Sequence, residues 1–240
     1  MTRRARRLAA IIFGVVLAAS GFRALVRART FQVFGVLVAR VDTREPVVAL
    51  TFDDGPNTTM IDGIVQVLAQ SNVRATFFVI GNELERHPDA GRRLVAAGHE
   101  LGNHSYSHQR MVLTSPAAAQ VELERTDALI RAAGQGNPIL FRPPYGVKFV
   151  GLPWYLRHSG RTSVTWDIEP ESFSEVASNA TAIVQHVMER VRPGSVILLH
   201  PWYRAGEPTR QAVPQLIRGI QERGFRFVTV TEMLRLQNQS

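Results

Sequence analysis

From Glu45 onward, short apolar runs alternate with amphipathic segments to the end of the chain, and this alternation limits the fold more than any other feature. VVALTF (47–52) is continuously apolar, as a strand covered on both faces must be. Residues 59–70 carry Ile61, Ile64, Val65 and Leu68 at helical spacing. ATFFVIG (75–81) reads as a strand, followed by a helix from Pro88 to Ala97 that Gly98 stops. HELGNH (99–104) reads as a short strand, and Ser115 caps a helix with Pro116 at its first position, ended by Gly134. Strands at 139–142, 162–168, 195–200 and 225–230 then alternate with helices at 152–159, 178–191 and 210–223, and Thr231 caps a last short helix. Strict alternation implies a parallel sheet with helices outside. A closed eightfold barrel usually takes about 250 residues, so the expected fold is α/β, an irregular (β/α)7-type, TIM-like barrel over residues 45–240.

The net charge of +8 suggests a nucleic-acid partner until it is located. Residues 1–44 carry nine arginines and one acid, whereas residues 45–240 carry 19 basic and 19 acidic residues. The folded part has no basic excess with which to displace counterions from a phosphate backbone, so no nucleic-acid partner is expected. The absence of cysteine excludes disulfides, thiolate metal sites and cysteine nucleophiles.

MTRRARR precedes a 15-residue uncharged run, Leu8 to Phe22, and Arg23, Arg27 and Arg29 follow it. A bilayer span needs roughly 20 apolar residues, so the run fits the hydrophobic region of a signal peptide better. Ala18-Ala19-Ser20 offers a weak cleavage site, and the arginines beyond it leave an uncleaved signal-anchor open. Residues 1–44 are therefore expected to be a signal peptide or signal-anchor plus a basic linker. Membrane association would run through residues 8–22, and the chain would be exported to the cell envelope or beyond it. A plain amphipathic or buried helix is the alternative.

The polar clusters fall where strands end: Asp53 and Asp54, His104 and His108, Arg142 and Tyr145, Asp167 and Glu169, and His200. In a parallel barrel those ends share one mouth, so five separate segments converge there. TFDDGPN sets two acids side by side after a strand, and repulsion between them is relieved if a cation binds one and leaves the other free as a base. An Asp-rich turn is the bland account. HSYSH spaces two imidazoles by four residues, which on a helical turn puts both on one face. Two histidines and an aspartate form a ligand set with open positions, suited to Zn²⁺ or, on ligand type alone, to Fe(II). FRPPYG is a stiff segment, since each proline fixes φ. At a metal-bearing mouth His200 is a candidate general acid, and elsewhere it would be a core histidine.

TFDDGP, HSYSH, RPPYG, WDIEP and LLHP, in that order, resemble the polysaccharide deacetylase family (NodB-homology domain, carbohydrate esterase family 4) over about residues 45–235. The resemblance implies that Asp54, His104 and His108 hold a divalent metal, most simply Zn²⁺, with Co²⁺ or another divalent ion as substitutes. It implies that Asp53 is the general base toward a metal-activated water and that Arg142 orients Asp53. The Tyr145 backbone N–H would stabilise the oxyanion, and His200 would protonate the leaving amine. Glu169 stands where the family carries an aspartate and joins the catalytic set, while Phe173 stands near a usual tryptophan. Tyr145, Pro143 and Trp202 are the expected substrate contacts, with Trp202 and Tyr203 able to stack on sugar rings or to pack plainly.

The implied partner is an N-acetylated glycan such as peptidoglycan, a chitin-like oligomer or poly-N-acetylglucosamine. An O-acetyl esterase on acetylated xylan and a non-catalytic sugar-binding relative are the rivals. The β/α alternation speaks against an Fe(II) oxygenase, which would be built from strands alone.

Overall fold

The computed structural model describes residues 3–56 and 60–237. It begins with a 24-residue helix, α1 (Arg3–Val26), which contains the apolar run and exposes Ile11, Phe13 and Val15. No helix among the described residues is long and apolar enough to cross a membrane. The end of α1 is fastened to the rest of the molecule. Val26 is buried, Phe22 packs edge-on against Phe149 at 5.1 Å, and the Lys148 backbone N–H donates to Val26 O at 3.0 Å. The Lys148 ammonium, itself buried, donates to the carbonyls of Ala28 and Gly146.

The next element, β1 (Val36–Val38), lies inside the stretch expected to be linker. It pairs in parallel with a later strand, and its apolar triplet is too short to stand out by periodicity. β2 (Val47–Gly55) is the longest strand and runs past the expected 47–52. It is followed by α2 (Ile61–Gln70), β3 (Thr76–Val79), α3 (Gly81–Arg86), α4 (Pro88–Ala96) and β4 (Glu100–Asn103). The expected start of α2 at Thr59 lies outside the described residues. Then come α5 (Pro116–Ala132), α6 (Gly151–His158), β5 (Thr162–Val164), α7 (Ser174–Ala177), α8 (Ala180–Arg190), β6 (Val196–Leu199), α9 (Glu207–Glu222), β7 (Arg226–Phe227) and α10 (Val230–Gln237).

Local signals account for several of these boundaries. Ser115 Oγ accepts from Ala118 N at 3.2 Å and caps α5, and Asn179 Oδ1 caps α8 from Ala182 N at 3.0 Å. α10 starts on a capping box between Thr229 and Glu232, two residues earlier than the expected Thr231 cap.

The strands are parallel, in the order β4–β3–β2–β6, with β7 on the early half of β2 and β1 paired to β5. The expected strand at 139–142 does not form a ladder. Phe141 makes single bridges to Asn103 and Ser163, and Ile168 makes one to Ile197. The prolines at 143 and 144 offer no N–H, so pairing stops at Arg142. The result is an irregular, barrel-like parallel sheet, continuous through four strands, with β7 laddered to β2, a separate β1–β5 ladder and isolated bridges elsewhere.

Side chains alternate along β2. Val48, Leu50 and Phe52 face the helical layer and join its core with Leu68, Phe77, Ile197 and Leu216. Val47 and Ala49 face the interior with Phe78, Leu140, Val164, Trp166 and Leu198. Asp53 continues the inward row, which brings the first catalytic candidate to the mouth.

Candidate active site

β2 also explains how two consecutive acids serve one site. Strict alternation would send Asp54 to the opposite face from Asp53. Instead, Asp54 has φ 68° and the pairing register shifts between Asp53 and Gly55, so both carboxylates line the same cavity. A left-handed non-glycine residue costs of order 1–3 kcal/mol, and aspartate is among the residues that adopt it most readily. Gly55 follows because a Cβ there would sit 3.0 Å from the Trp202 ring.

His104 leaves the end of β4, and His108 comes from the loop behind it. The loop is not helical: Ser105 has φ 63° and His108 has φ 57°. The imidazoles therefore converge by a loop reversal and not by the helical turn that their spacing suggested. Glu122 on α5 pins this loop, accepting from the N–H groups of Tyr106 at 3.0 Å and Ser107 at 2.9 Å. His104 Nε2 lies 3.4 Å and His108 Nε2 3.0 Å from Asp54 Oδ1. His104 Nδ1 is 2.8 Å from the Arg142 carbonyl, which can only accept, so the ring proton sits on Nδ1 and a lone pair on Nε2 faces Asp54.

Asp54 Oδ1 is a buried oxygen with no hydrogen bond, while Tyr203 O–H donates to Oδ2 at 3.0 Å. A lone pair facing a carboxylate oxygen is repulsive unless a cation lies between them. The residues present thus fit a divalent metal, with Asp54, His104 and His108 as its three protein donors.

Arg142 is fully buried inside the barrel and donates to Asp53 Oδ1 at 2.6 Å, Thr51 Oγ1 at 2.8 Å, Val164 O at 3.3 Å and Thr165 O at 3.0 Å. Its guanidinium lies 4.0 Å over the Phe78 ring. A buried charge needs this degree of satisfaction. Asp53 Oδ2 is 3.6 Å from His104 Nε2, beside the candidate metal position.

Asp53, Asp54, His104, His108, Tyr145, Glu169 and His200 line one cavity of about 470 Å³. Three expectations fare differently. Trp202 is 3% exposed; it packs against Phe52 and Phe77 and donates from Nε1 to Asp53 O at 2.5 Å, so its ring is unavailable to a sugar. Pro143 is buried and does not line the cavity. Glu169 accepts from Arg29 at 2.7 Å and Trp166 Nε1 at 3.0 Å and does not meet His200.

The acid on His200 is Glu171, one turn of a 3-10 segment further on. It accepts from His200 N at 2.9 Å, lies 2.6 Å from Nδ1, and accepts from Thr209 Oγ1 at 2.5 Å. Burial works against charge on His200, but Glu171 and the two aspartates raise its pKa to about 9. Asp167 is committed to Ser195 Oγ and Val196 N, away from the mouth. Neither Glu171 nor the cavity-lining Arg27 and Arg110 stood out in the sequence.

The sequence profile of the family described as polysaccharide deacetylase matches residues 40–164. A chitooligosaccharide deacetylase from Bradyrhizobium sp. (strain ANU 289) is 35% identical over 190 residues, covering 74% of this chain and 86% of that protein. The peptidoglycan-N-acetylmuramic acid deacetylase PdaC of Bacillus subtilis (strain 168) is 34% identical over 200 residues, covering 83% of this chain but only 41% of that protein's length. A family 4 acetyl xylan esterase from Clostridium thermocellum, solved with a cobalt ion, superposes with a TM-score of 0.72 at 33% identity, over 79% of this chain and 91% of that one. The chain belongs to the polysaccharide deacetylase family.

Proposed function

We propose that the chain removes N-acetyl groups from N-acetylglucosamine-containing glycans by metal-dependent hydrolysis, outside the cytoplasm. The observation that carries this reading is the unpartnered Asp54 Oδ1 between two imidazole Nε2 atoms, with Asp53 and His200 lining the same cavity. A divalent cation held by Asp54, His104 and His108, Zn²⁺ or Co²⁺ by its donor set, would polarise an acetamide carbonyl and acidify a water beside it.

The chain's own groups divide the proton transfers. Asp53, oriented by Arg142, takes the proton of the attacking water. Attack at the carbonyl carbon places charge on its oxygen, and the Tyr145 backbone N–H is the donor for it. His200, engaged at Nδ1 by Glu171, is left with Nε2 for the cavity and delivers a proton to the sugar nitrogen as the C–N bond breaks. The products are acetate and a free amino sugar.

Peptidoglycan, chitin-like chains and poly-N-acetylglucosamine are the substrate candidates, and relatives named for peptidoglycan support an envelope location. Membrane association through residues 8–22 accords with the exposed apolar side chains of α1. An ester acetyl presents the same carbonyl, and the likeness to an acetyl xylan esterase favours O-deacetylation as the second reading.

The test is acetate release by the full chain with Zn²⁺ from N-acetylglucosamine oligomers, beside an Asp54→Ala protein and a chelated sample. Release lost in both controls supports the proposal. Release indifferent to both sinks the metal mechanism. Bound metal with release from neither N-acetyl nor O-acetyl substrates favours a glycan-binding relative.

A further inference from the structure

The segment after α1 is built into the catalytic mouth. Arg27 and Arg29 line the same cavity as Asp53, Asp54 and His200, and Arg110 lines it from the loop after His108. The segment is held there by several bonds: Thr165 Oγ1 donates to Arg29 O at 2.6 Å, and the Lys148 ammonium binds Ala28 O. Removal of residues up to Ser20 would leave it in place.

The three arginines are not equivalent. Arg29 gives its charge to Glu169 at 2.7 Å and covers Trp166 at 5.0 Å. Arg110 lies 4.2 Å over the Tyr145 ring, and neither it nor Arg27 meets a carboxylate among the described residues. The carboxylates of the cavity are already engaged: Asp53 by Arg142, Asp54 between two imidazoles, Glu169 by Arg29. A cavity that also holds a cation site therefore keeps two exposed guanidinium groups with no carboxylate among the described residues to neutralise them. Guanidinium is the side chain best shaped for a planar oxyanion such as a carboxylate.

We propose that Arg27 and Arg110 form an anion subsite on the rim of the catalytic cavity, and that the preferred substrate is an N-acetylated amino-sugar chain bearing a carboxylate close to the reacting acetamide. The proposal rests on the deacetylase reading and narrows its substrate. A neutral N-acetylglucosamine oligomer fills the catalytic position without using the subsite.

The experiment compares glycan strands containing N-acetylmuramic acid, whose lactyl group carries a carboxylate, with the same strands after that carboxylate is amidated. Acetate release and binding, read by fluorescence of the cavity tryptophan Trp166, are both measured on the Zn²⁺-loaded full chain. The acid should be favoured over the amide by about tenfold, the size expected of two partly exposed ion pairs. Added salt should shrink the preference. In Arg27→Gln/Arg110→Gln the acid-to-amide ratio should collapse toward unity. Equal release and equal binding of acid and amide by the unaltered chain would overturn the subsite while leaving the deacetylase reading intact. Absent release with a retained binding preference would do the reverse. Acid and amide treated alike, with arginine-dependent binding to phosphatidylglycerol vesicles instead, would reassign the pair to a lipid headgroup and also overturn it.

Discussion

Glu171 holds His200 at two points, accepting from the backbone N–H at 2.9 Å and lying 2.6 Å from the ring Nδ1. A two-point grip fixes both the ring's orientation and the nitrogen it shows to the cavity. Glu171→Gln should lower kcat by about 10–100-fold. It should also move the alkaline limb of the pH–rate profile to lower pH, because the group that favours the imidazolium is gone. Glu169→Gln should leave that limb in place, since Glu169 meets Trp166 and Arg29.

The same pair sets a pH dependence of stability. The His200 pKa in the metal-free fold is raised from 6.5 to about 9. The stabilisation is therefore fully present below the unfolded value and is lost as pH rises through the folded one. In denaturant titrations of metal-free protein, Glu171→Gln should cost more near pH 6 than near pH 10.

Asp54→Ala and His108→Ala should each weaken Zn²⁺ binding by more than about 100-fold, since even outer partners of metal ligands account for about 10–100-fold. Competition with a chromogenic chelator measures this directly, and acetate release should fall in parallel.

Arg142→Met should destabilise the fold by about 3–5 kcal/mol, because Asp53 is left buried and uncompensated. Arg142→Lys should recover only part of this. One ammonium cannot reach Asp53, Thr51, Val164 O and Thr165 O together. Urea midpoints of the three proteins check the order.

Trp202→Ala should cost about 3–5 kcal/mol as a core truncation. Trp202→Phe retains most packing but removes the bond from Nε1 to Asp53 O, so it should cost about 1 kcal/mol. Its KM for glycan should stay near that of the unaltered chain, which a stacking platform would not allow.

The alternation of apolar runs and helices carried the barrel because each strand is covered on both faces and each helix on one. It failed where length or proline cut an element short. β1 is three residues long, and the pairing around Phe141 shrinks to single bridges before Pro143. The convergence of Asp53, Asp54, His104, His108 and His200 was legible because strand ends share one mouth. The acid on His200 was not legible, because 3-10 geometry after Pro170 carries Glu171 to the imidazole while Glu169 lines the cavity on Arg29 and Trp166. Trp202 was misplaced because an aromatic residue beside a site can face either the cavity or the core, and its indole N–H found a buried carbonyl. Arg27 and Arg110 carry no motif; only the fold brings them to the cavity.

Lys148 is the chain's single lysine, and its ammonium is buried beneath the Ala28 carbonyl where α1 joins the barrel. A lysine-specific protease therefore has one bond to attack, Lys148–Phe149, and that bond is sealed while the junction is closed. The rate at which the folded chain is nicked into two fragments becomes a clock for every opening, local or global, that frees Lys148 from that junction. A glycan that settles against Arg27, next to that junction, would be visible as a slowing of the clock, without a label or a chromophore.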